Sequence, residues 1–76
     1  MWFLIEYDRP QGELIKLIEF DETERDSAEQ ARLALEIELN QQGIDREVVI
    51  LQATDQDALR VTHRRYFENL EQLVSG

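Results

Sequence analysis

The chain has 76 residues, 17 acidic against 8 basic, and a formal net charge of −9. Such a field repels nucleic acid and anionic membranes at long range. With no cysteine, disulfides, thiolate metal sites and thiol nucleophiles are excluded.

Hydrophobic residues make up 42% of the chain, a globular composition rather than a disordered one. A chain of this size forms one domain and buries roughly 60% of the surface its unfolded form exposes. The opening MWFLIEYDRP has an apolar run of only Trp2 to Ile5, closed by Glu6. It has neither the basic leader of a signal peptide nor the length of a membrane span, so a cytoplasmic protein is expected.

WFLIEY and LIKLIEF are strand-like, and DRPQGE between them carries the turn formers Pro10 and Gly12. A β-hairpin is predicted over 2–20. Its expected register pairs Trp2 with Phe20, Phe3 with Glu19, Leu4 with Ile18, Ile5 with Leu17, Glu6 with Lys16 and Tyr7 with Ile15. The Glu6–Lys16 pair, read as a cross-strand ion pair, favours this register over a one-residue slip.

A helix follows at about 23–42, capped by Asp21 or Thr23 and acidic in its first turn. Ala28, Ala31, Ala34, Leu35 and Leu39 form its apolar stripe. Leu33 and Ile37 fall outside that stripe as a small outward ridge. Gly43 suits the left-handed residue of a Schellman end. A third strand at about 46–53 carries Val48 to Leu51 in succession, a pattern of burial on both faces. Thr54-x-x-Asp57 resembles a capping box and opens a second helix at about 55–74. Leu59, Thr62, His63, Tyr66, Phe67, Leu70, Leu73 and Val74 form its stripe.

The predicted fold is α+β: a single ββαβα domain with a three-stranded sheet and both helices packed on one face. Strand order 2-1-3 is favoured over placing the third strand directly beside the second. The first helix is long enough to carry the chain back, so the third strand runs parallel to the second by a right-handed crossover. This arrangement leaves Trp2, Leu4, Ile18 and Phe20 on a bare face. A patch of that size needs a cover, and a second copy of the chain is the expected one.

His63 lies within the second helix's apolar stripe and reads as a packed residue; a base or pH switch is the functional alternative. Arg60, Arg64 and Arg65 could grip an anion or a partner, or pair locally with Asp57 and Glu68. Glu36 and Glu38 share no helix face, so no metal site is expected. The acidic run EFDETERDSAE lacks the glycine of a calcium loop and reads as a helix start. No phosphate loop, GxSxG or HExxH occurs, and neither Ser27 nor Ser75 has a histidine at motif spacing.

The sequence therefore points to a non-enzymatic, acidic protein-interaction module without a cofactor, binding itself or another protein and neither nucleic acid nor membrane. Trp2, Leu4, Ile18, Phe20, Leu33 and Ile37 are its candidate interface. Two alternatives remain: an anion-binding or catalytic module built on Arg60, Arg64 and His63, and an acidic nucleic-acid mimic.

Overall fold

The computed structural model describes residues 1–68. It contains β1 (Trp2–Asp8), β2 (Glu13–Phe20), α1 (Arg25–Gln42), β3 (Glu47–Gln52) and α2 (Gln56–Thr62). The sheet order is β2-β1-β3, and β1 is antiparallel to both neighbours. The α+β class, the ββαβα order and the 2-1-3 sheet are as the sequence predicts. Leu70, Leu73, Val74 and Ser75 lie outside the described residues.

The hairpin keeps the expected register from Trp2–Phe20 through Glu6–Lys16. It then shifts by one residue between Glu6 and Tyr7, so Tyr7 pairs with Leu14 rather than Ile15. The bulge turns Leu14 into the core beside Leu17 and leaves Ile15 exposed. The turn closes with the Gly12 amide donating to the Arg9 carbonyl at 3.2 Å. Gly12 has φ +64°, a conformation glycine adopts without strain. The expected Glu6–Lys16 ion pair is corrected: the Glu6 carboxylate accepts instead from Arg46.

The placement of the helices on one face is also corrected. Side chains alternate along a strand, so β1 presents Phe3, Ile5 and Tyr7 to one side and Leu4 and Glu6 to the other. Leu59, Tyr66 and Phe67 close over Phe3, Ile5 and Tyr7. Leu35 and Leu39 of α1 close over Leu4, joined by Phe20, Val48 and Ile50. The two clusters lie on opposite sides of the sheet. Each face of β1 therefore has its own cover, and five of its seven residues are buried.

Helix α1 is preceded by a short 3₁₀ turn at Glu22–Glu24, and the Asp21 amide donates to Glu24 Oε1 at 2.9 Å. It ends as predicted. Gly43 has φ +70°, its amide donates to the Asn40 carbonyl, and the Ile44 amide donates to the Leu39 carbonyl. Ala34, expected in the stripe, is exposed.

The second helix differs most from expectation. Its cap is Asp55, which accepts from the Ala58 amide at 2.8 Å, rather than Thr54. It stops at Thr62. His63 leaves the helical region at φ −126°, ψ 53°, and a 3₁₀ turn at Arg64–Tyr66 follows. On a straight helix Tyr66 and Phe67 would point about 100° apart. After the break both are buried in one cluster with Leu59.

Candidate functional site

Polar chemistry concentrates at one end of the sheet, where β1 finishes and β3 begins. Glu47 pairs with Tyr7 across these strands. Its side chain is only 7% exposed. Three donors converge on it: Arg9 Nε at 2.7 Å, Arg65 Nη2 and the Tyr66 hydroxyl. The turn after α2 supplies two of the three.

The Arg65 guanidinium lies 4.4 Å from the Tyr66 ring centroid and 5.6 Å from that of Tyr7. The two tyrosine rings meet edge to face at 5.1 Å. Burial works to raise the Glu47 pKa. The Tyr66 hydroxyl and the Arg65 and Arg9 guanidiniums outweigh it and hold the carboxyl at about 2. Burial, then the bond to Glu47, pushes the Tyr66 phenol above its ordinary value.

A second buried carboxylate lies on the opposite face. Glu6 is 3% exposed and carries an ion pair with Arg46. Arg46 Nε is buried without a hydrogen-bond partner among the described residues. Beside the pair is a cleft of about 110 Å³ lined by Arg9, Pro10, Asp45, Arg46 and Glu47. Its two cations are balanced by two carboxylates, so it offers no net attraction to an anion. A carboxyl held near 2 stays ionised at neutral pH and makes a poor general acid or base there. The cluster fastens the hairpin to β3 and to the turn after α2.

No family model, curated protein or solved structure matches the chain.

Among the described residues, no group of three or more histidine and carboxylate side chains could hold a metal ion. No helix there is long and apolar enough to cross a membrane.

The residues singled out by sequence are dispersed. His63 is half-buried at the end of α2, and its amide donates to the Leu59 carbonyl. The Arg60 guanidinium lies 5.1 Å from the Phe67 ring centroid, while Arg64 is exposed on the turn. Arg65 pairs with Glu47, not Glu68, and no ion pair joins Asp57 to Arg60 or Glu68 to Arg64 among the described residues.

Of the expected sheet-face interface, Leu4 is 1% exposed beneath α1 and Phe20 is half-buried against the same cluster. The Trp2 indole donates to the Glu22 carbonyl at 3.1 Å, and Arg25 lies 5.4 Å from its ring. Only Ile18, at 37%, is left exposed. The bare face on which the expected dimer rested is therefore occupied by the protein's own helix. Leu33 and Ile37 do point outward from α1.

Sequence reading missed Glu6, Arg9, Arg46 and Glu47. Glu6 did leave a signal: a lone acid inside an apolar run on the central strand requires a cation. Glu47 shares strand parity with Val49 and Leu51 and so faces the same side. Nothing local links Arg9 to a residue 38 positions away.

Proposed function

We propose that the protein is a small protein-interaction module without chemistry of its own, binding partner chains along the open edges of its sheet. One observation carries this reading. The buried titratable groups are committed to one another, whereas the outer backbone rows of β2 and β3 have no hydrogen-bonded strand among the described residues. Strand addition uses such a row for affinity and the flanking side chains for specificity. Leu33 and Ile37 on α1 supply a second apolar contact.

The test is capture of partners from the organism that encodes the protein, by affinity-tagged bait and mass spectrometry. Arg60→Glu with Arg64→Glu is the companion variant. The module reading expects a specific protein partner that both baits retain. Loss of capture with the double variant supports the anion-binding alternative. Steep release by moderate salt supports the acidic mimic, whose grip is electrostatic. A bait that retains no specific protein refutes the reading.

A further inference from the structure

The two edges of the sheet are not equivalent. β2 carries the devices that protect an edge: the bulge beside Ile15, Lys16 in mid-strand, and Glu13 and Glu19 near its ends. β3 carries none. Its sequence is EVVILQ, with no bulge, no proline and no charge from Val48 to Leu51. All four of those residues are apolar, they point alternately to both faces, and each is only half-buried. Val49 and Leu51 pack against the Leu59–Phe67 cluster and Val48 and Ile50 against the Leu35–Leu39 cluster, so both faces of β3 are covered while its outer backbone row has no hydrogen-bonded strand among the described residues.

We infer that β3 pairs with β3 of a second copy, joining two sheets into one six-stranded antiparallel sheet of order 2-1-3-3-1-2. This rests on the interaction-module reading and names its partner.

Three features favour a second copy over a foreign strand. First, a two-fold axis perpendicular to the sheet and centred on Val49 sets Val49 against itself and Val48 against Ile50. No like charges oppose one another, because Glu47 then faces Leu51. Its carboxylate is already held by Arg9, Arg65 and Tyr66.

Second, α1 lies over β3 and β1 rather than centrally over all three strands. Strands pair about 4.8 Å apart, so the two copies of α1 would lie about 10 Å apart across the seam. That is the separation at which helices pack, about 8–10 Å. Joining at β2 instead would hold the helices about twice as far apart and leave an open groove. Third, the Glu47 carboxylate is engaged by Arg9, Arg65 and Tyr66, and no charged residue lies within one position of the Val49 centre, so the middle of the seam carries no charge. The remaining net charge of −9 per chain opposes association at a distance, so added salt strengthens this contact.

Sedimentation equilibrium from 10 µM to 1 mM, with amide exchange followed by NMR at both ends of the range, tests the inference. In a monomer, alternate amides of β3 point outward and exchange fast; in the joined sheet, protection along β3 becomes continuous. The outward amides of β2 are the internal control and stay fast. The inference predicts a doubled mass, tighter association in salt, and gain of protection confined to β3. A monomer throughout, or a dimer whose outward β3 amides exchange as fast as those of β2, overturns it. Capture of a foreign partner is measured separately, so a monomer that still binds one refutes the dimer and leaves the module reading standing.

Discussion

Replacing Glu47 by Gln keeps the shape of the side chain and removes its charge. The carboxyl pKa is about 2 in the folded protein against an ordinary 4.5. At about 1.4 kcal/mol per pH unit, that interval bounds the carboxylate's contribution at about 3 kcal/mol. Its partners Arg9 and Arg65 are 70% and 55% exposed, so water screens them and about 1–2 kcal/mol remains. A lowered folded-state pKa gives stability that is full above the unfolded value and lost as pH falls through the folded one. The window is therefore pH 5 down to about 2. Urea unfolding of the wild type and Glu47→Gln, at pH 7, 5, 3.5 and 2.5, reads this directly. At pH 7 the variant should lose about 1–2 M from its midpoint, taking a slope of about 1 kcal/mol per molar. The gap should shrink steadily below pH 5. Equal midpoints at pH 7, or a gap as wide at pH 2.5 as at pH 7, would refute an ionic role for the network.

Three further substitutions probe neighbouring features. Tyr66→Phe removes one donor to Glu47 and should cost about 1 kcal/mol at pH 7. It should also move the acid limb of a circular-dichroism titration to higher pH, because two donors hold the carboxylate less firmly than three. Arg46→Met strands the Glu6 charge on the buried face of β1 and should cost about 3 kcal/mol, read in the same urea assay. His63→Leu should keep the melting midpoint within about 5 °C, since its side chain makes no hydrogen bond among the described residues. A larger fall would mean that the imidazole has a polar partner.

The elements legible in the sequence were those set by local pattern. Hairpin residues 2–6 take the partners that apolar alternation predicts, although the Glu6–Lys16 ion pair expected to fix that register does not form and Glu6 pairs with Arg46. Gly43 ended α1 because only a left-handed residue completes that hydrogen-bond pattern. What the sequence hid was set at a distance. Ile15 and Leu14 are equally apolar, and only the bulge decides which enters the core. The helical period continues past His63 in the sequence, yet the chain leaves the helix there and a 3₁₀ turn carries Tyr66 into the core beside Phe67. The Glu47 cluster joins Arg9, Arg65 and Tyr66 across separations no motif records.

The helix position also changes what kind of surface is left for recognition. With one cover on each face of β1, side-chain patches on the sheet are largely spent: Leu4 lies under α1, and Phe3 and Ile5 lie under Leu59 and Phe67. Among the described residues, what remains without a strand partner belongs to the backbone, the outward amides and carbonyls of two edge strands. Backbone groups are the same for every residue, so they confer affinity without identity, and selectivity must come from what flanks them. On β2 those flanks are a bulge and three charges; on β3 they are four uncharged apolar side chains between Glu47, already held by Arg9, Arg65 and Tyr66, and Gln52. Charge on an edge strand deters added strands, and its absence from Val48 to Gln52 leaves the β3 edge without that protection. Among the described strands this is the longest uncharged run, which is why the partner proposed for β3 is a second copy of the same strand.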